Sequence, residues 1–500
     1  MSRFGAWILA LGLLMTGCQS YQRKPLELAN YASEWADRSL DIESIQDYAN
    51  TIASPKADDT SFNSADGLSL GEAEAVALHF NPRIRLSRAQ AEVPLASAKE
   101  AGWWPDPQLE TEVLRFLNRG KKTKFRFDGP SVDGINTGVL GSNGFNPGGI
   151  ESTPPGYRRT GGDFIDDPWI VGASLTFTVP IFGRLAVEKD LKWTEYNASW
   201  RRILVAEWEL LTNVRESWLN WSTLHERVHV TREYIEKLED IADIAGQLSK
   251  AGELKPTEAR VLRIELASQR TKLRTLQNDA EQARIKVFSL LGVRPDAPVT
   301  LVPQVMVSSV DFAPEGRESQ LLENHPRIKA ALADYEAAEQ ALRLEIRLQY
   351  PDLQIGPSFS FEEGFSRLGL GMGFPIPLWN RNRQGIAQAI AEREATRVRA
   401  EAEVELVMSE LAQVESRLDY AVQQRQFVLR DVVPLVQKQV EDSRTLLKLG
   451  EVDVLLLRDA LTSSLETKLE VLDATLAEAR AANVLTQMLR PRLVTQAKAE

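Results

Sequence analysis

The chain carries the same ordered series of short motifs twice. The matching pairs, in chain order, are Asn-Pro-Arg-Ile at 81–84 with His-Pro-Arg-Ile at 325–328, Pro-Asp at 105–106 with 351–352, Val-Pro-Ile-Phe-Gly-Arg at 179–184 with Ile-Pro-Leu-Trp-Asn-Arg at 376–381, and Lys-x-Gly-Glu at 250–253 with 448–451. The offset falls from 246 residues at the second pair to 197 at the third, which places an insertion of 49 residues in the first copy. A duplication of this kind predicts that each copy supplies one sector of a ring or stack.

The N-terminus has the pattern of a bacterial secretion signal. Arg3 precedes an apolar run at 6–15, and Cys18, the only cysteine, follows directly after Thr-Gly. The run is too short to span a bilayer as a retained helix. The pattern predicts a signal peptide over residues 1–17 and a lipid on Cys18 as the only attached group, so that residues 18–69 form a lipidated N-terminal periplasmic segment. The alternative is an ordinary exported protein with a chance cysteine at this position.

Composition excludes one class of partner and limits how the chain crosses a membrane. The formal charge is -11, and the 26% of charged residues have both signs interspersed, which argues against nucleic-acid binding. Beyond the signal peptide no apolar run reaches about 20 residues, the length of a membrane-spanning helix. A mature chain that crosses a membrane would have to do so as closed β-structure.

Each copy contains one predicted strand hairpin. In the second copy, apolar residues alternate with small or polar ones over 353–361 and again over 367–374. In the first copy the arms are 109–117 and 169–178. Each arm is about the length of a membrane-crossing strand, but four strands are too few to close the smallest membrane barrel, which needs about eight. Membrane-spanning strands would therefore require oligomerisation, and a trimer would supply twelve; soluble amphipathic hairpins are the alternative.

Long helical stretches follow both hairpins. Residues 381–447 contain a single proline, Pro434, and no glycine after Gly385; residues 183–248 match this stretch in the first copy. Helices of this length indicate coiled-coil hairpins. The predicted organisation is a first repeat at 70–292 with a long glycine-rich loop at 118–168, an inter-repeat linker at 293–318, a second repeat at 319–490 and a C-terminal tail at 491–500.

These features together resemble the TolC-like outer-membrane factors, and the resemblance covers about 70–489. The motif Pro-Ile-Pro-Leu-Trp-Asn-Arg-Asn-Arg at 375–383 is most similar to the CzcC-like branch, which is associated with heavy-metal efflux. The resemblance implies a mixed, mainly α fold. In it, a twelve-stranded outer-membrane β-barrel, with four strands from each chain of a homotrimer, continues into a periplasmic α-helical barrel. The implied partners are a periplasmic adaptor (membrane fusion protein) and an inner-membrane RND pump.

The resemblance also suggests which residues carry function. The glycine turns at Gly252-Glu253 and Gly450-Glu451 would be the periplasmic tips that meet the adaptor. TolC-like channels carry inward-facing acidic residues just beyond the second glycine, and Asp459 falls at one such position, whereas Leu456 occupies a second position that is usually acidic. Asp453, Leu456 and Asp459 are therefore the candidate constriction, with solvated helix-surface carboxylates as the alternative.

One motif suggests a different class of protein. His225-Glu226-Arg227-Val228-His229 fits the H-E-x-x-H pattern, in which two histidines four residues apart on a helix hold zinc and the glutamate acts as base. The second copy has no histidine at the matching place, and the motif lies midway along a long predicted helix, so a zinc hydrolase is the remote alternative. We expect no catalytic residues, no metal site and no enzyme activity.

The sequence indicates an efflux duct more clearly than it indicates what passes through. Six Met, four His and one Cys form no apparent metal-ligand cluster. Selectivity would then lie in the pump, so that drugs or type I polypeptide secretion remain alternatives to heavy-metal cations. A passive structural or adhesive lipoprotein is a third hypothesis, which the small and polar strand faces disfavour.

Overall fold

The computed structural model describes residues 21–38, 40, 45, 67–115, 124–127, 157–160, 169–305, 316–362, 365–448 and 454–491. The chain divides into two compact units, one of residues 1–93, 198–333 and 399–500 and the other of residues 94–197 and 334–398. Most of the described chain is helical. The helices are α1 (Leu28–Ala36), α2 (Leu70–Phe80), α3 (Pro82–Lys99), α4 (Arg184–Ala251), α5 (Pro256–Leu291), α6 (Arg317–Asn324), α7 (Pro326–Arg347), α8 (Arg383–Phe427), α9 (Val433–Lys448) and α10 (Val454–Leu489).

The main core of the larger unit forms where α2, α4 and α5 pack together. Trp218, Phe288 and Leu78 are each fully buried within it. The first turn of α2 is stabilised locally, because Ser69 and Glu72 form a reciprocal capping box at the start of this helix.

The break between α2 and α3 is held by a side chain. Asn81 accepts hydrogen bonds from the backbone N–H groups of Arg83 and Ile84, at 2.9 and 3.3 Å, and donates to the Leu290 carbonyl at 2.8 Å. Pro82 then begins α3, where its missing N–H costs nothing. The Asn-Pro pair therefore ends one helix, starts the next and ties both to α5.

The smaller unit contains a four-stranded antiparallel sheet. Its strands are β1 (Gln108–Arg115), β4 (Trp169–Val179), β5 (Leu353–Glu362) and β6 (Phe365–Gly373). They lie in the order β1-β4-β5-β6. β1 pairs with β4 and β5 with β6, which gives the two predicted hairpins, and β4 pairs with β5 to join them. β1 and β6 are the outer strands.

The two hairpins have the same register when the sequence offsets are applied. Leu109 of β1 pairs with Leu175 of β4. Offsets of 246 and 197 carry these two residues to Ile355 and Met372, which are paired in the second hairpin.

The structure differs from the expectation of a loop throughout 118–168. Strands β2 (Lys124–Phe127) and β3 (Tyr157–Thr160) pair antiparallel within it. Their register continues that of β1 and β4, because eight residues separate β1 from β2 and eight separate β3 from β4. Short strands depend on partners distant in sequence and leave little local periodicity, so the sequence did not reveal them. The rest of the predicted loop lies outside the described residues.

The long helix of the second copy is interrupted where the sequence predicted one stretch. Between α8 and α9 the backbone forms a π-helical turn at Val428–Val432. Pro434 follows within two residues; it has no N–H, and its ring crowds the carbonyl four residues earlier. A wider turn before the proline accommodates both effects. In the first copy α4 is continuous for 68 residues.

Candidate functional site

The turn between α4 and α5 depends on a left-handed glycine. α4 ends at Ala251, and Gly252 has φ +81°. The N–H of Glu253 then donates to the Leu248 carbonyl at 3.0 Å, which closes the end of the helix. No atom lies within 4 Å of the position a Gly252 Cβ would take, so glycine is needed here for backbone conformation and not for space. Gly252 and Glu253 are exposed.

An apolar cluster supports this turn from three helices. This tip cluster comprises Val230, Tyr234, Leu238, Ala242, Ala245, Ala259, Leu262, Leu457, Leu461 and Leu465. The Tyr234 hydroxyl lies 3.0 Å from the Thr462 hydroxyl and so links α4 to α10. Burial raises the pKa of Tyr234, so the phenol stays protonated at any physiological pH. The cluster fixes the start of α10 relative to the α4–α5 turn.

The residues at the start of α10, where the candidate constriction lies, differ in how far their side chains are buried. Leu456 is 40% exposed, whereas the neighbouring Leu457 is 7% exposed and belongs to the tip cluster. The Asp459 side chain is 58% exposed and forms an ion pair with Arg458. Asp459 in turn raises the pKa of Arg458, first through their hydrogen bond. Asp459 therefore has a cation beside it that the sequence prediction did not include. Gly450, Glu451 and Asp453 lie outside the described residues.

The H-E-x-x-H motif lies on an exposed face of α4. His225 and His229 are exposed, and His229 Nε2 lies 3.2 Å from Glu233 Oε1. Arg227, within the motif, forms an ion pair with Asp473 of α10. In the part of the chain that the structure describes, no three His, Cys, Asp or Glu side chains are placed to hold a metal ion. The residues of this segment contact neighbouring helices and solvent.

The four-stranded sheet has one apolar face. Leu109, Val171, Phe359 and Leu370 share this face by register, whereas small and polar residues dominate the other. Aromatic residues lie at the ends of the strands. Trp169 pairs with Arg115, whose guanidinium lies 5.3 Å from the indole ring, and exposed tryptophans lie before β1 and after β6, at Trp103, Trp104 and Trp379. Among the described residues, no helix is both apolar and long enough to cross a bilayer.

The sequence did not predict the buried ion pairs that the structure contains. The Glu74 carboxylate is fully buried and forms two hydrogen bonds with Arg215. Arg88 similarly binds Glu207 at 2.7 Å, yet burial still raises the pKa of this carboxyl. The partners are more than a hundred positions apart and no local pattern marks them.

Comparison with known proteins identifies the family. A model of the outer membrane efflux protein family matches residues 156–293 and 318–489, more than half of the chain. The chain belongs to the outer membrane efflux protein family. It is therefore a TolC-like outer-membrane factor of the Gram-negative cell, an efflux channel and not an enzyme. The zinc-hydrolase alternative is set aside on this ground. No curated protein sequence matches the chain.

Solved structures of outer-membrane channels have the same fold. The channel OprN is 17% identical, with a TM-score of 0.64 over 94% of this chain and 98% of that one. CusC, described in the context of transmembrane channel formation, is 17% identical with a TM-score of 0.63 over 84% and 91%. The Neisseria gonorrhoeae MtrE outer-membrane channel in its open state is 17% identical with a TM-score of 0.60 over 84% and 88%.

Proposed function

We propose that three copies of this chain form the exit duct of a tripartite efflux system in the outer membrane. In this proposal the strands of the three copies close a twelve-stranded barrel, and the helical hairpins extend into the periplasm as an α-helical barrel. The observation that carries the proposal is the sheet, which has one continuous apolar face and two outer strands, β1 and β6. Open sheet edges are not tolerated in lipid, so further copies must supply strands to close them.

The common register of the two hairpins supports a two-fold internal repeat. A duplicated unit would give two hairpins in which residues at matching positions are paired in the same register, as they are here. Three chains with two such units each would build a ring of six similar sectors.

The remaining partners follow from the family and from the exposed turn. The turn at Gly252 and Glu253 is proposed to contact the periplasmic adaptor, together with Gly450 and Glu451, and the adaptor would connect the duct to an RND pump. The proposed substrates are heavy-metal cations, on the resemblance of the 375–383 motif to the CzcC-like branch. Drugs or exported polypeptides are the alternative.

Asp459 and Leu456 are proposed to line the constriction near the tip, together with Asp453. Three Asp459 carboxylates around a threefold axis would favour cations over anions. Since Arg458 pairs with this carboxylate, the two residues should have opposite effects. Asp459→Asn should weaken cation preference in single-channel recordings, and Arg458→Gln should strengthen it. Unchanged selectivity in both variants would exclude an acidic constriction here.

The test of the proposed function is reconstitution of the purified full-length protein. Native mass measurement in detergent should give a trimer, and insertion into a planar bilayer should produce discrete conductance steps. A heat-dissociated sample is the control and should give none. A stable monomer, or a trimer that never raises bilayer conductance, would contradict the proposal.

A further inference from the structure

Two side-chain contacts join the first hairpin to the second at one end of the sheet. Phe182, just after β4, packs against Tyr350, just before β5, with ring centroids 4.8 Å apart. Two residues further along each segment, Arg184 pairs with Asp352 at 3.0 Å. Both contacts accompany the β4–β5 pairing and lie within the smaller unit.

The repeat places a second set of the same residue types on the outer strands. The offset of 197 carries Phe182 to Trp379 and Arg184 to Arg381, just after β6. The offset of 246 carries Tyr350 back to Trp104 and Asp352 back to Asp106, just before β1.

These aligned residues are not paired with one another within the chain. Trp379 is 85% exposed and Trp104 is 63% exposed. The Arg381 side chain donates to the Pro377 carbonyl at 3.2 Å, and neither Arg381 nor Asp106 makes an ion pair with any other described residue. They flank β6 and β1, which are at opposite edges of the four-stranded sheet. A second copy of the chain is the partner that presents the complementary set.

We propose that β6 pairs with β1 of a second copy, with Trp379 packed on Trp104 of the partner subunit and Arg381 paired with Asp106 of the partner subunit. The inference rests on the proposed trimer and adds to it the residues and the register of the subunit boundary. Each boundary would repeat, between chains, the contacts that β4 and β5 make within one chain. Two exposed tryptophans and two exposed charges per boundary would then be accounted for.

The same offsets predict the strand register across the boundary. Ala173 of β4 faces Phe359 of β5, which predicts that Leu370 of β6 faces the partner's Val113. Leu370 and Val113 both lie on the apolar face of the sheet and are 73% and 62% exposed. The predicted register therefore continues the apolar face from one copy to the next, whereas a shift by one residue would bring the polar face of the partner onto that side.

The backbone that follows β4 differs from the backbone that follows β6, so the test of the Arg381 pairing needs a matched control. Gly183, directly before Arg184, has φ +71°, whereas in the second copy Arg381 and Asn382 themselves have φ of 42° and 53°. Asn382 is held there by hydrogen bonds to the backbone and side chain of Glu345. Arg383 is a second exposed arginine nearby and serves as the matched control for Arg381.

Disulfide trapping in the full-length protein tests the register. Directly opposed residues in an antiparallel pair have Cβ atoms about 4.5–5.5 Å apart, close enough for a disulfide with small adjustments. Leu370→Cys with Val113→Cys in the same chain should convert most of the protein into covalent dimers and trimers on a non-reducing gel. Ala173→Cys with Phe359→Cys should oxidise within one chain and stay monomeric on that gel. Leu370→Cys with Glu112→Cys, which points to the other face, should not cross-link.

Charge reversal tests the ion pair. Arg381→Glu or Asp106→Arg alone should lower the temperature at which trimers dissociate, and the double variant should recover most of that loss. Arg383→Glu combined with Asp106→Arg should not recover. Recovery by Arg383→Glu and not by Arg381→Glu would overturn the assigned pair.

The outcomes separate this inference from the proposed function. A trimer by native mass that cross-links at a different register, or not at all at the predicted positions, refutes the boundary and leaves the trimeric duct intact. A protein that is monomeric by native mass refutes both. Cross-linked trimers with recovery in the Arg381→Glu, Asp106→Arg double variant support both.

Discussion

The buried side chain of His325 should make the packing of α6 and α7 sensitive to acid. Its side chain is fully buried between α6 and α7, and its ring packs edge-to-face on Trp208 at 4.9 Å. Neither ring nitrogen has a hydrogen-bond partner among the described residues. Burial, aided by the charge of Arg327, lowers the pKa of His325 from 6.5 to about 4. A proton added to this ring would create a buried cation with two unsatisfied donors.

The sign and size of the effect follow from proton linkage. When α6 and α7 open, His325 regains a pKa near 6.5, so between about pH 6.5 and pH 4 the open state binds more protons than the closed state. Stability is therefore unaffected above pH 6.5 and falls as the pH drops through this window. The loss is about 2 kcal/mol at pH 5, or roughly a 30-fold larger opening constant, and approaches about 3 kcal/mol below pH 4.

Hydrogen exchange of peptides that cover 317–333 measures this opening directly. After correction for the pH dependence of intrinsic exchange, the wild-type opening constant should rise roughly 30-fold from pH 7.5 to pH 5. His325→Asn carries no titrating group, and asparagine stands at the aligned position 81, so this variant should lose the rise whatever its stability at pH 7.5. Equal pH dependence in wild type and variant would show that the burial of His325 does not control the opening.

Three further outcomes are expected. Gly292→Ala should lower the melting temperature more than Gly252→Ala. Both glycines have positive φ, which costs a residue with a side chain roughly 1–2 kcal/mol, but a Cβ at Gly292 would also lie 2.4 Å from a backbone carbonyl oxygen. Equal losses in the two variants would contradict this reasoning. Arg215→Met should cost about 3–5 kcal/mol because it leaves the buried Glu74 carboxylate unpaired, and Arg215→Lys should cost less; denaturant titration would show whether it does. Mass spectrometry of the mature protein should find Cys18 acylated at the N-terminus, and a mature start elsewhere would refute the lipid anchor.

Local sequence pattern was sufficient to predict the elements themselves. Period-two alternation located all four strands of the main sheet, and the long helical stretches predicted at 183–248 and 381–447 match α4 and the span from α8 to α9. Gly252 was predicted as a turn because a left-handed position after a helix selects glycine, and φ there is positive. These signals are readable because each depends on neighbours within a few residues.

What the tertiary structure alone decided are the pairings between residues far apart in the chain. The β4–β5 junction, the Glu74–Arg215 pair, the burial of His325 and the pairing of β2 with β3 all join segments whose local patterns carry no mark of the partner. Burial of a charge or an imidazole depends on the whole surrounding packing and not on spacing along the sequence. The sequence by itself indicated a mainly helical outer-membrane factor with two strand hairpins. Only the fold decided that the contacts between those hairpins are satisfied within the chain on one side, while the aligned residues on the other side lie exposed at the outer strands.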